Sequence, residues 1–101
     1  MKIKTSLCCT VDNEEKHMKY FYRLTEGEYH KYQAYGIEIE RQDYVNEELV
    51  NIERDSIKFI SYSEEKVSGI IQKLYKGEVS PIHLWDIFSE YEDECIKEFK
   101  M

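Results

Sequence analysis

The chain has 101 residues, 42% of them hydrophobic and 14% aromatic, a composition for one small domain with one core and not for a disordered polyelectrolyte. Twenty-one acids against fourteen bases leave a formal charge of −7, which repels phosphate and disfavours direct DNA or RNA binding. The three cysteines, Cys8, Cys9 and Cys95, form no spaced framework, the start Met1-Lys2-Ile3-Lys4 opens no signal-type apolar run, and no stretch approaches the ~20 apolar residues of a membrane span, so a reducing cytoplasm is the expected setting.

The first half of the chain alternates. Ile3, Thr5, Leu7, Cys9 and Val11 share one face of a period-two run, which predicts a half-buried strand. Asp12-Asn13-Glu14-Glu15 supplies a polar turn. Met18, Tyr20, Tyr22 and Leu24 then share one face while Lys19, Phe21 and Arg23 take the other, a second strand hairpinned to the first. Glu26-Gly27-Glu28 is the expected next turn, with Gly27 free to take a positive φ. A long strand is expected from about Tyr29 to Tyr44. In it Tyr35, Ile37 and Ile39 point to the core, and Glu38 and Glu40 to solvent. Gly36 inside that strand implies a bulge or a close backbone approach. Val45-Asn46-Glu47-Glu48 makes the following turn. Leu49 to Arg54 is the fourth strand, closed by Asp55-Ser56, and Ile57 to Ile60 fits either a short extra strand or a buried linker.

The period then changes. Ser61 precedes Glu64 at capping-box spacing, and Val67, Ile70, Ile71 and Leu74 recur at helical intervals, with Gly77 where a C-terminal cap belongs. Ser80 as N-cap and Pro81 at the first helical position start a second helix. Its stripe is Leu84, Ile87, Phe88, Tyr91 and Cys95, with Trp85 beside it and Phe99 extending it. The expected domain spans 1–101, with strands over about 3–60 and helices over about 62–76 and 81–98. Strands grouped before helices, with short links, predict an α+β fold: a four-stranded antiparallel meander sheet with two C-terminal helices packed on one face. The other face stays open and carries Lys19, Phe21, Arg23, Glu38 and Glu40.

Residues able to do chemistry are scattered. His17, His30 and His83 have no second ligand at metal spacing. Cys8 and Cys9 are adjacent, so on a strand they point to opposite faces and cannot both reach one ion. Cys95 follows Glu90-Tyr91-Glu92-Asp93-Glu94, and neighbouring acids disfavour a thiolate. The chain has no Gly-rich phosphate loop and no nucleophile elbow. No catalytic residue, metal ligand or cofactor is therefore expected. The nine tyrosines suit half-buried strands first and binding surfaces second. Acids concentrate twice: seven against two arginines from Gly36 to Asp55, and six against two lysines from Ser80 to Met101.

Tyr35-Gly36-Ile37-Glu38-Ile39-Glu40-Arg41, Asn51-Ile52-Glu53-Arg54-Asp55-Ser56-Ile57 and Ser80-Pro81-Ile82-His83-Leu84-Trp85-Asp86 together resemble a family of small uncharacterised bacterial proteins of about a hundred residues, a domain of unknown function. The resemblance covers roughly Tyr20 to Asp93, leaves out the first strand, and implies a bacterial, cytoplasmic origin. It brings no activity, cofactor or site residue.

The first functional expectation is a small acidic, non-enzymatic protein-binding module or regulator. Its contact would use Tyr35, Glu38, Glu40, Glu47, Glu48, Trp85, Glu90, Glu92, Asp93 and Glu94, against a protein with a basic surface. A sharper form is an inhibitor that mimics DNA charge, of the phage anti-defence or anti-restriction kind. The second expectation is an enzyme or small-ligand domain working through His83, His30 or a carboxylate. The third, compatible with the first, is a homodimer through the last helix, where Trp85, Phe88, Tyr91 and Phe99 crowd.

Overall fold

A computed structural model describes residues 2–91. Four strands come first: β1 (Lys2–Asp12), β2 (His17–Tyr29), β3 (Tyr32–Val45) and β4 (Glu48–Ser61). Helix α1 (Glu64–Lys76), a 3-10 turn (Pro81–His83) and the short helix α2 (Leu84–Phe88) follow. The strands form one sheet in the order β1-β2-β3-β4, each neighbour antiparallel, so the meander and its two trailing helices are as expected.

Alternation decides which side chains are covered. Tyr20, Tyr22 and Leu24 of β2 and Ile37 and Ile39 of β3 share one face and are buried. Onto them α1 lays Val67, Ile70, Ile71 and Leu74, and the C-terminal turn adds Pro81, Leu84 and Phe88. Each large apolar side chain fully buried in this way contributes about 1.5–3 kcal/mol. Tyr22 stacks on Tyr20, and its hydroxyl donates to the Val79 carbonyl at 2.9 Å. Burial, with Cys9, Tyr20 and Glu78 nearby, pushes its pKa well above the ordinary tyrosine value, so the phenol stays a donor. Of the nine tyrosines Tyr32 alone is exposed; the others are buried or half-buried.

Several boundaries differ from the sequence reading. Glu26-Gly27-Glu28 is not a turn: Gly27 pairs with Ala34, and β2 runs on to Tyr29. The reversal falls on His30 and Lys31, with φ of 49° and 72°, both in the left-handed region that a two-residue hairpin of this hand requires. Asn46 and Glu47 repeat that geometry between β3 and β4, with φ of 51° and 67°. Asp55-Ser56 does not end the fourth strand, and Ile57 to Ile60 continue it to Ser61.

The helix ends also move. The N-cap of α1 is Ser63, whose hydroxyl accepts from the Lys66 N–H, while the Ser61 hydroxyl accepts from the Ser63 N–H and lies buried. Ser63→Ala should cost about 1 kcal/mol, read as a lower urea midpoint at unchanged slope. At the other end Glu78 N–H bonds to Tyr75 O and Val79 N–H to Leu74 O, the Schellman pattern. The left-handed residue there is Glu78, at φ 51°, with Gly77 one place too early and in the right-handed region. The last helix is shorter than expected. Pro81 does open it, as a 3-10 turn, but α2 stops at Phe88, and Ser80 makes no side-chain cap. The expected continuation through Cys95 to residue 98, with Phe99 beyond, lies outside the described residues.

Candidate interaction surface

The face of the sheet turned away from α1 is built from the alternate residues of the same strands. Register sets its centre. Arg23 lies opposite Glu38 on β3, and Glu40 lies opposite Arg54 on β4. Arg23 Nη1 reaches Glu38 Oε1 at 3.0 Å and Glu40 Oε1 at 3.2 Å. Arg54 reaches the same Glu40 oxygen through Nη2 at 2.6 Å and Nε at 3.0 Å, and Gln42 Nε2 donates to Glu40 Oε2 at 2.6 Å. The Arg23 guanidinium also lies over the Phe21 ring at 5.1 Å.

Glu40 was expected in solvent, and the structure corrects this: its side chain is 5% exposed. Burial raises its pKa, but the hydrogen bonds from Gln42, Arg23 and Arg54 outweigh that and hold it below the usual carboxylate range. Lys19, Arg23 and Arg54 offset Asp12, Glu38 and Glu40 across this face, so its middle is close to electrically balanced rather than acidic.

Apolar groups mark the two ends. Toward the β2–β3 turn the rings of Tyr29, Phe59 and Tyr62 gather, Tyr29 being 5.3 Å from Phe59, with Tyr32 6.0 Å from Tyr62. Toward the β3–β4 turn, Leu49 and Ile52, each 47% exposed, lie beside Tyr44 and Gln42. Ile52 also lines a shallow hollow with Pro81 and Ile82 that wraps around the outer edge of β4. Trp85 lies one helical turn beyond Ile82 and is 52% exposed, with its ring edge-on to Phe88. The acids Asp12, Glu14, Glu15, Glu47 and Glu48 are exposed around the β1–β2 and β3–β4 turns, which share one end of the sheet.

The site residues expected from sequence therefore scatter. Glu38, Glu47 and Glu48 lie on or beside the open face. Tyr35 does not: it is buried in the core on the α1 side, with the Lys4 ammonium 5.6 Å from its ring. Glu90 is exposed, but past the end of α2, so it is not set against a helix dipole. Glu92, Asp93, Glu94 and Cys95 lie outside the described residues.

The structure also groups residues that went unnoticed. Arg54, Arg23 and Gln42 converge on Glu40, a grouping a correct strand register alone would have revealed. On the α1 side, Asp43 is 1% exposed and is held by Arg41 at 3.1 Å and Asn51 at 3.1 Å. Arg41 also reaches Glu53 at 3.0 Å, which closes a second, structural ion-pair group.

The three histidines lie apart from one another. His17 pairs through Nδ1 with Asp12, its direct partner across the β1–β2 ladder, and with Thr10, Lys19, Tyr44 and Glu47 it lines an open hollow of about 390 Å³. No cysteine lines that hollow: Cys9 is on the α1 side, where burial first, then Glu78 and Cys8, raise its pKa. His30 stands at a turn against Tyr29, and His83 lies 3.6 Å from Asp86 at the surface. Among the described residues no three His, Cys, Asp or Glu side chains gather as a metal site, and no helix is long and apolar enough to cross a membrane.

No curated protein matches this chain. No solved structure matches it either. A family model does match, over residues 1–94, so the likeness takes in the N-terminal strand that the sequence reading had left out. The chain belongs to the family of unknown function DUF6514.

Proposed function

We propose that this protein is a small, non-enzymatic protein-binding module whose contact is the open sheet face and the adjoining rim of β4. One observation carries the reading: an uncovered face whose central charges already pair with one another, between two exposed apolar ends. Such a face is rigid before binding. Its ion pairs lose little when covered, and Leu49, Ile52 and Trp85 supply the apolar area that drives association. We place the module in a reducing compartment such as a bacterial cytoplasm, in keeping with the free thiols of Cys8 and Cys9.

The pairing of Glu38 and Glu40 with arginines speaks against mimicry of DNA phosphate by this face. The exposed acids at the turns would then set the rim, and with it the rate of encounter with a basic partner. The enzymatic alternative is less well supported, because His17 and Asp12 pair with each other at the rim of an open hollow and neither makes a hydrogen bond to Thr10, Lys19 or Tyr44, the side chains there that could act as a nucleophile.

The test is capture of a partner from lysate by the tagged chain and by its Ile52→Glu variant, at low and high salt. A protein that survives high salt on the wild type, and binds the folded variant at least about tenfold more weakly, is the expected result. A protein that salt removes and Ile52→Glu leaves in place would transfer the role to the acidic turns and reinstate charge mimicry.

A further inference from the structure

The two outer edges of the sheet are unequal. The β4 edge carries Glu53, Arg54, Asp55 and Lys58, and its register with β3 breaks twice. Charges and bulges on an outer strand are the usual guards against further pairing. The β1 edge has one irregularity, at its start between Ile3 and Thr5. From there Thr5-Ser6-Leu7-Cys8-Cys9-Thr10-Val11 runs in unbroken register with β2, without a charge, proline or glycine, and among the described residues no strand lies beside its outer backbone groups.

We propose that β1 pairs antiparallel with β1 of a second copy of this chain, about a two-fold axis through Cys8, joining two sheets into one of eight strands. In that register Leu7 lies opposite Cys9, Ser6 opposite Thr10 and Thr5 opposite Val11, because antiparallel partners share a face. Leu7, Cys9 and Val11 already lean on the core but remain only half-covered at the sheet margin. A second copy would finish covering them. The ends of β1 differ in sign, with Lys2 and Lys4 before the neutral stretch and Asp12, Glu14 and Glu15 after it. An antiparallel copy sets the basic end of each strand beside the acidic end of the other. Lys4 is already engaged by Glu64 at 2.8 Å, whereas Lys2 is 79% exposed, reaches Glu26 only at 3.8 Å, and is free to turn toward the copy. The inference does not rest on the open face being a binding surface. It does predict that the face is doubled across the two-fold.

Light scattering over rising concentration should show the mass climb from 12.2 kDa to twice that value. Cys8→Lys puts like charges at the axis on an exposed position, and should hold the chain at the monomer mass with an unchanged circular dichroism spectrum. A second readout needs no disruption of the edge. Oxidised glutathione, taking up two electrons and two protons, should join Cys8 to Cys8 of the copy, because partners across an antiparallel ladder lie within disulfide reach. Peptide mapping should find that bond in the wild type and in Cys9→Ser. A monomer at millimolar concentration would overturn the proposal. So would a dimer that Cys8→Lys leaves intact, which would move the contact to another surface such as the last helix, or a monomer whose β1 edge instead takes up an extended segment of a different protein.

Discussion

Gly36→Ala should destabilise the protein by about 3 kcal/mol, at the upper end of what overpacking costs, and lower its melting temperature by roughly 10–20 °C. The cause is a close approach of two backbones. Between Tyr35 and Ile37 of β3, the partners on β4 step from Ser61 to Ile57, so β4 carries two extra residues opposite Gly36. The bulge brings main-chain atoms over the glycine: an added Cβ would lie 2.2 Å from both the Ile57 and Lys58 carbonyl oxygens. No side-chain rotation relieves a clash with backbone, so the sheet itself must shift. Gly69 is the control. It is exposed on α1 with nothing within 4 Å of an added Cβ, and Gly69→Ala should stabilise by up to about 1 kcal/mol through helix propensity. Urea titrations followed by Trp85 fluorescence and circular dichroism compare the two. If Gly36→Ala matched wild type, the bulge would have to open without cost, and the account of this crossing would be wrong.

The same bulge explains what could be read from the sequence and what could not. Alternation located β2, β3 and β1 from Thr5 on because these keep one register along the ladders that β2 makes; Tyr20, Tyr22, Leu24, Ile37 and Ile39 are all buried as their period demands, whereas the shift between Ile3 and Thr5 pairs Ile3 with Thr25 and leaves it exposed. In β4, Ile57 and Ile60 both enter the core although three positions apart, while Phe59 joins Tyr29 on the other side. A spacing of three breaks the alternation of a regular strand, and the backbone insertion beside Gly36 produces it. The β2–β3 reversal was hidden for another reason. Local chemistry favours Gly27, but the turn is placed where pairing of Tyr29 with Tyr32 and Gly27 with Ala34 can continue, and His30 and Lys31 accept left-handed φ to allow it. At the candidate surface, Glu47 and Glu48 were legible as exposed turn acids. Glu40 was not, because alternation reports the face on which a side chain lies and not what lies across from it. Burial of Glu40 on the uncovered face comes from Arg23, Gln42 and Arg54, and finding it requires the strand register.

Replacing that carboxylate tests both the structure and the surface. Glu40→Gln keeps the shape but removes the charge that Arg23 and Arg54 share, and it should cost about 2 kcal/mol at neutral pH. The loss stays below that of a fully buried pair because Arg54 is 58% exposed and water replaces part of what it loses, while Arg23 keeps Glu38 at 3.0 Å. The pH dependence carries the sign. The Glu40 carboxyl is held below its ordinary value of about 4.3 in the folded chain, so the unfolded chain binds its proton first as pH falls. Its contribution is therefore complete above the unfolded value and disappears as pH drops through the folded one. Unfolding free energies of wild type and Glu40→Gln should differ at pH 7 and converge as pH falls below the ordinary carboxylate range and through the lowered value of the folded chain. A gap that stays constant over the whole acid range in which the chain remains folded would mean that packing, and not charge, accounts for the cost. The same variant leaves Arg23 and Arg54 in excess over Glu38, making the middle of the open face basic. If that face meets a partner, binding should weaken even where folding is unaffected, and neutralising the directly opposed position as well, through Glu40→Gln with Arg54→Gln, should recover charge balance without recovering the original geometry.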